Sequence, residues 1–178
     1  KKHLSKLEKK SDFIILDAAP GLGKEAIFVM DACNEIIFVT SPFVPMVADV
    51  IRCKEVLKQF GERKMSILLN MVTYGTHELK KEVVEEVTGL PVVGEVPYDK
   101  NVTESLVMRY PLLEYKPNSL SSISFMRMAS LLTEKDYEVP MKVKWHKLFT
   151  NVRNVLMPNN IKMSDKAEDI KKELLSNF

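Results

Sequence analysis

The sequence lacks a long apolar run, and its two cysteines match no pairing or metal motif. No stretch of about 18 uninterrupted apolar residues occurs, and the first residues contain no apolar run of the signal-peptide type. Cys33 and Cys53 show no C-x-x-C or Cys/His spacing, so we expect reduced thiols rather than a disulfide or a zinc site. These absences predict a soluble, cytoplasmic protein without a membrane-spanning segment.

The chain also lacks a strong charge of either sign. Its 178 residues carry 26 Lys and Arg against 24 Asp and Glu, a formal net charge of +2. This charge is too small to predict nucleic-acid binding, and no dense basic stripe lies on the predicted helices of residues 1–134. A hydrophobic content of 46% is sufficient for one buried core with an appendage.

Strand and helix patterns alternate from residue 13 to residue 132. Short apolar, mostly β-branched runs predict strands at 13–16, 36–40, 65–69 and 91–96. Helical periodicity predicts the end of a helix at 1–10 and further helices at 25–32, 47–60, 78–87, 102–110 and 119–132. This alternation indicates βαβ units and therefore a parallel sheet with helices on both faces.

A loop with two glycines, DAAPGLGK at 17–24, follows the first predicted strand. The loop does not match the phosphate-binding motif G-x-x-x-x-G-K-[ST], because Ala18 and Glu25 stand where glycine and a hydroxyl residue are needed. The spacing Gly21-x-Gly23-x-x-Ala26 fits a dinucleotide fingerprint. However, the next strand does not end in the acidic residue that binds a ribose in such proteins.

A third interpretation takes this segment as a Walker B strand followed by a switch II loop. Asp17, at the carboxyl end of a buried parallel strand, can then orient the water bound to magnesium. Gly21 lets backbone amides approach a γ-phosphate because it has no Cβ. The structural alternative is a strand that ends in a tight turn with a solvated aspartate.

Residues 12–23 resemble the Walker B and switch II segment of the MinD/ParA family of ATPases, especially archaeal MinD-like proteins. Later segments are similar to the family in the same order: IFVTSP at 37–42 with Asp49 downstream, LLN at 68–70, and GEVPYD at 94–99 followed by Val102, Pro111 and Ser119. The resemblance covers roughly residues 7–132. It implies a partial, doubly wound parallel α/β sheet of the P-loop NTPase type, with ATP and magnesium as cofactors.

The resemblance also implies a set of site residues. Asp17 is expected to be catalytic and to hold magnesium through water. Nucleotide contacts are expected from Gly21, Gly23, Asn70, Pro97, Tyr98 and Asp99. Asn70 and Asp99 have a local alternative, because both residue types are common at strand ends and turns. Their placement after successive strands, on the side where parallel sheets bind ligands, favours the nucleotide interpretation.

The sequence departs from the family where the phosphates bind. The family's deviant Walker A motif, K-G-G-x-G-K-[ST], precedes the Walker B strand, and none of the sixteen residues before Asp17 matches it. Phe43 also stands where many MinD proteins have glutamate. In a P-loop fold most phosphate affinity comes from backbone amides and a lysine at a helix start. We therefore expect a fragment, a truncated product or a pseudo-ATPase, with an unpaired sheet edge that favours association.

The alternation ends after residue 132, which divides the chain into a nucleotide-binding portion at 1–134 and a helical extension at 135–178. Helical spacing over 141–157, which we call the basic segment, places apolar side chains on one face and basic ones opposite. The apolar face contains Trp145, Leu148, Phe149 and Val152, and the basic face contains Lys144 and Lys147. MinD proteins are similar in ending with an amphipathic membrane-targeting helix. The segment is expected to bind the inner face of the membrane, to pack on the domain or a partner, or to be disordered.

Two functions follow from these observations. The first is a portion of a MinD/ParA-like ATPase, an ATP-dependent dimerising switch that acts in division, partitioning or maturation and does not hydrolyse ATP as this chain alone. Its partner is expected to be a second copy or a complementary ATPase subunit. The second is a non-catalytic binding module that associates with a partner subunit or with the membrane surface.

Overall fold

Three parallel strands form one sheet in the computed structural model, which describes residues 4–7 and 9–138. The strands are β1 at Glu35–Thr40, β2 at Lys64–Val72 and β3 at Val92–Pro97. The order is β1-β2-β3, with Thr40 opposite Leu69 in the first pair and Val72 opposite Pro97 in the second. All three strands end on one side of the sheet. We call this side, with the loops that follow β1, β2 and β3, the carboxyl edge.

Seven helices surround the sheet in the described part of the chain. They are α1 at Leu4–Leu7, α2 at Lys24–Ala32, α3 at Val44–Lys58, α4 at Lys81–Thr88, α5 at Lys100–Met108, α6 at Leu112–Tyr115 and α7 at Leu120–Thr133. Helix α3 tolerates a proline in its first turn, where the missing N–H has no intrahelical partner anyway. Helix α4 ends at Gly89, whose φ of 63° is the left-handed conformation that favours glycine.

Side chains of β2 alternate between two apolar clusters on opposite faces of the sheet. Ile67 and Leu69 are fully buried and pack with residues of α3 and α4. Leu68 points to the other face and packs with Val96 and with Met128 of α7. Helices therefore cover both faces, which confirms the predicted α/β architecture with a parallel sheet. Among residues 4–7 and 9–138, no helix combines the length and apolar character of a membrane span.

The segment predicted as the first strand, 13–16, does not form a strand, so that prediction was wrong. Phe13 and Ile15 are 57% and 89% exposed, whereas Ile14 and Leu16 are half-buried. Within the described residues, β1 pairs only with β2, and no backbone hydrogen bond joins 12–16 to a strand. The segment therefore keeps the alternating burial of a strand, but it has no hydrogen-bonded neighbour that would make it one.

Other predicted elements are present with changed boundaries. Strand β2 extends three residues beyond the predicted end at 69, so Asn70 lies inside the strand rather than after it. Helix α4 begins at Lys81 rather than at Glu78, and the short helix α6 was not predicted. The basic segment, including Trp145, Leu148, Phe149, Val152, Lys144 and Lys147, lies outside the described residues. Its surface and the division at residue 134 remain predictions.

Candidate functional site

Helix α2 is anchored at its C-terminal end by Arg63, the residue that precedes β2. The guanidinium donates to Asp31 Oδ1 at 2.7 Å, to the Asp31 carbonyl at 3.0 Å and to the Cys33 carbonyl at 2.8 Å. Since β2 begins next to Arg63, the C-terminus of α2 lies at the opposite side of the sheet from the carboxyl edge. Helix α2 therefore runs antiparallel to the strands, and its N-terminus, about 12 Å away, points toward the carboxyl edge.

The loop at residues 17–23, which we call the glycine loop, leads into that N-terminus. Gly21 has a φ of 84°, a left-handed conformation that residues with side chains rarely adopt. A Cβ at Gly21 or at Gly23 would meet no heavy atom within 4 Å. Gly23 is the N-cap of α2, and no side chain caps the helix there. The loop thus leaves room for a ligand beside its backbone.

Asp17 is the exposed first residue of the glycine loop. Among the described residues its carboxylate has no hydrogen-bond or ion-pair partner, and no group of three or more potential metal ligands is present. Magnesium commonly takes one or two carboxylates and completes its octahedron with water and phosphate oxygens. A single free carboxylate therefore fits a magnesium ion that arrives with a nucleotide, and it does not fit a resident metal site.

Asn70 lies where the ladder between β2 and β3 becomes irregular. Its Oδ1 accepts a hydrogen bond from the Met71 N–H at 2.9 Å, and Met71 has a positive φ of 60°. The Asn70 Nδ2 group has no partner among the described residues. The side chain therefore retains two N–H donors for a ligand at the carboxyl edge.

The residues that follow β3 lie beside the end of β2. The Tyr98 N–H donates to the Val72 carbonyl at 2.9 Å, and the Tyr98 ring is 59% exposed. The Pro97 carbonyl accepts from Ser121 Oγ at 2.8 Å, which attaches the end of β3 to the first turn of α7. Asn70, Pro97 and Tyr98 are thus brought to one edge. No described hydrogen bond or ion pair connects them with Asp17, Gly21 or Gly23.

Asp99 is occupied by contacts within the protein. It is the N-cap of α5, and one carboxylate oxygen accepts from the Asn101 N–H at 2.9 Å and from Asn101 Nδ2 at 2.6 Å. The other oxygen accepts from the Ser121 N–H at 3.4 Å. Burial alone would raise the pKa of Asp99, but the hydrogen bonds from Asn101, Ser119 and Ser121 outweigh burial and lower it. A local capping role therefore accounts for both carboxylate oxygens of Asp99.

We expect Asp99→Ala to lower the free energy of unfolding at neutral pH by about 1 kcal/mol, the usual contribution of an N-cap. Because the folded-state pKa is lowered, the stabilisation is present above the ordinary pKa of 3.8 and is lost as pH falls through the folded value. Urea unfolding of wild type and variant between neutral and acidic pH measures this. A difference that grows toward acidic pH would contradict the assignment.

A buried carboxylate in the loop between β2 and α4 was missed by sequence reasoning. Glu78 is 6% exposed, and Thr73 donates to it three times: from N–H to Oε1 at 2.9 Å and Oε2 at 3.0 Å, and from Oγ1 to Oε1 at 2.8 Å. Between Asn70 and Glu78, two residues have left-handed backbone, Met71 and Tyr74. Helical periodicity had placed Glu78 in a helix, but α4 begins at Lys81 and Glu78 lies in the loop before it.

Two loops of the carboxyl edge contact each other directly. The Leu79 N–H donates to the Pro42 carbonyl at 2.8 Å, and the rings of Phe43 and His77 stack with centroids 5.9 Å apart. In the same region burial, Glu95 and Glu78 raise the pKa of Tyr74. The loops after β1 and β2 are therefore held together at the edge that carries Asn70.

Relatives of the chain are ATP-binding and cell-division proteins. An uncharacterized ATP-binding protein of Methanocaldococcus jannaschii is 26% identical over 133 residues, which are 75% of this chain and 50% of that protein. The chloroplastic septum site-determining protein minD homolog of Arabidopsis thaliana is 31% identical over 135 residues, 72% of this chain and 41% of that protein. The chain thus spans about half the length of the curated relatives it matches. No family model matches it.

Solved structures agree with the sequence relatives. The cell division ATPase MinD of Pyrococcus furiosus superposes with a TM-score of 0.68 at 26% identity, covering 75% of this chain and 56% of that one. MinD of Pyrococcus horikoshii, in complex with Mg-ADP, superposes with a TM-score of 0.67 at 27% identity, covering 74% and 54%. These matches cover most of the described residues.

Proposed function

We propose that this chain, which is related to part of the MinD/ParA ATPase fold, supplies the base-binding side of a nucleotide-dependent switch. Asn70 and Tyr98 contact the adenine at the carboxyl edge. The backbone at Gly21 and Gly23 approaches the phosphates, and Asp17 holds magnesium through a water molecule. Pro97 and Asp99 act indirectly, because they fix the loop that presents Tyr98.

The observation that carries this proposal is that Tyr98 is hydrogen-bonded to the end of β2, two residues after Asn70. Asn70 has two N–H donors without a described partner, which suits the ring nitrogens of a purine. Tyr98 offers an exposed aromatic face, and its backbone is fixed by the 2.9 Å hydrogen bond to Val72. Ligands of parallel α/β sheets bind at the carboxyl ends of the strands. Tyr98 directly follows β3, and Asn70 lies two residues before the end of β2.

The described residues offer weaker contacts for the phosphates than for the base. Asp17 is exposed and repels phosphate unless magnesium is present, and it forms no ion pair with any described residue. The 178 residues contain no K-G-G-x-G-K-[ST] motif. We therefore propose that this chain alone does not hydrolyse ATP. Hydrolysis then requires phosphate-binding groups that lie outside these 178 residues, and a complementary ATPase subunit is one source of them.

A base-binding edge without strong phosphate contacts predicts similar, weak affinity for adenosine and Mg-ATP. We expect a Kd of about 1 mM for both, or roughly −4 kcal/mol. Asn70→Ala should weaken adenosine binding about tenfold, the effect of one lost hydrogen bond of about 1.4 kcal/mol. Saturation-transfer NMR with the 178-residue chain measures these affinities, with guanosine as the competing base.

Asn34→Ala is the matched control, because Asn34 is exposed and precedes β1 at the opposite side of the sheet. If Mg-ATP binds about a hundredfold more tightly than adenosine, the proposal that these residues make only weak phosphate contacts is wrong. A folded chain that contacts no adenosine would refute base binding and favour the non-catalytic binding module.

A further inference from the structure

The turn from α5 to α6 exposes five apolar side chains that are close together in the sequence. The members, which we call the apolar patch, are Leu106, Val107, Met108, Tyr110 and Leu113. Their exposed fractions are 72%, 77%, 54%, 58% and 40%, and all five fall within eight consecutive residues. Single exposed apolar residues are common, but five within eight residues indicate a surface that another segment or molecule covers.

We propose that the basic segment, 141–157, packs its apolar face on this patch within the same chain. The segment has the complementary character, since Trp145, Leu148 and Phe149 recur at helical spacing. Burial of both faces removes apolar surface from water at two sites at once. Docking of the segment on this surface does not depend on nucleotide binding.

The distance along the chain fits this arrangement. Ser122 Oγ in the first turn of α7 donates to the Lys116 carbonyl at 2.7 Å, so α6 and the patch lie near the N-terminal end of α7. Helix α7 has 14 residues and is about 21 Å long. The seven residues 134–140, when extended, span about 23 Å and can return along the length of α7 to the patch.

The chain turns away from the axis of α7 directly after the helix ends, where a path back to the patch has to begin. Glu134 has a left-handed φ of 53°, and the Lys135 N–H donates to the Ser130 carbonyl at 3.2 Å. Ser130 Oγ also donates to the Lys135 carbonyl. The turn after α7 is therefore fixed by three features, and the residues that follow do not continue the helix axis.

The net charges of the fold and of the basic segment also favour docking between them. Residues 4–7 and 9–138 contain sixteen Lys and Arg against nineteen Asp and Glu, a net charge of −3, whereas the basic segment has four Lys and Arg and no acidic residue. Close to the patch both signs occur, with Glu104 and Glu114 beside Arg109 and Lys116. The attraction therefore comes from the acidic excess of the fold as a whole, and it weakens as salt is added.

Trp145 is the only tryptophan in the chain, so its fluorescence reports directly on the basic segment. We expect acrylamide to quench Trp145 in the 178-residue protein at least about twofold less than in a synthetic 141–157 peptide, because the indole is buried. Val107→Asp and Leu113→Asp should each raise quenching toward the peptide value. Phe60→Asp is the control, since Phe60 is also exposed but lies outside the patch.

Each remaining outcome decides against docking within the chain. If Trp145 is protected but neither patch variant changes its quenching, the segment packs elsewhere. If protection rises with protein concentration, the contact is made with a second copy. Peptide-like quenching that falls only when phosphatidylglycerol vesicles are added assigns the segment to a membrane. Circular dichroism of the variants verifies that the fold is retained, and Val107→Ser replaces Val107→Asp if it is not.

Discussion

Arg63→Met should lower the free energy of unfolding by about 3 kcal/mol, because the change removes three partly buried hydrogen bonds, to the Asp31 carboxylate and to the carbonyls of Asp31 and Cys33. The Arg63 side chain is 16% exposed and that of Asp31 is 27% exposed, so water replaces the lost contacts poorly. Arg63 also partly offsets the rise that burial causes in the pKa of Cys33. The variant should therefore raise that pKa further. Urea unfolding and the pH dependence of Cys33 alkylation measure the two effects.

Lys58→Met is the matched control for this change. The Lys58–Glu55 pair is more than half exposed on both sides, and its loss should cost no more than about 0.5 kcal/mol. Hydrogen exchange adds a local readout, since loss of the Arg63 anchor should release amides of α2 before those of β2. Equal destabilisation by the two variants would show that Arg63 does not anchor α2.

Glu78→Ala should lower the free energy of unfolding by about 2 kcal/mol. The buried carboxylate accepts three hydrogen bonds from Thr73, and its removal leaves the donors of Thr73 unpaired. The loop from Met71 to Tyr74 then loses the contact that holds two residues in left-handed conformations. Thermal and urea unfolding measure the stability, and exchange of the Thr73 amide proton measures the local effect.

Glu86→Ala is the control here, because Glu86 is exposed on α4 and should change stability by less than about 0.5 kcal/mol. Glu78→Gln should lower the free energy of unfolding by an amount between those of the two alanine variants. Its amide oxygen still accepts a hydrogen bond, while its amide nitrogen faces the donors of Thr73. Unchanged exchange of the Thr73 amide in Glu78→Ala would show that the carboxylate does not fix the loop.

The sequence predicted the parts of the fold that local pattern determines. The apolar runs of β1, β2 and β3 and the periodicity of α3 and α7 were sufficient, because each element buries side chains at its own regular spacing. Residues 13–16 have an equally good strand pattern and still form no strand. A strand is completed by a neighbour, and the pattern of one segment does not contain the hydrogen bonds of another.

Some features of the candidate site could also be predicted from the sequence, and others could not. The order of segments along the chain predicted that Asn70 and Tyr98 come near each other, and parallel pairing of β2 with β3 brings their strand ends together. The roles of Glu78 and Arg63 were not predictable, because each depends on one three-dimensional contact between residues of ordinary type. Asp99 shows the opposite case, since its local capping role could be read from its position before α5.

Helix α7 connects the two ends of the sheet as a single rigid rod. Its first turn receives the end of β3 through Ser121 and Pro97, and its last turn sets the direction in which residues 134–138 depart. Hydrogen bonds thus hold both ends of α7: Ser121 binds the end of β3, and Ser130 binds Lys135, where the chain leaves the fold.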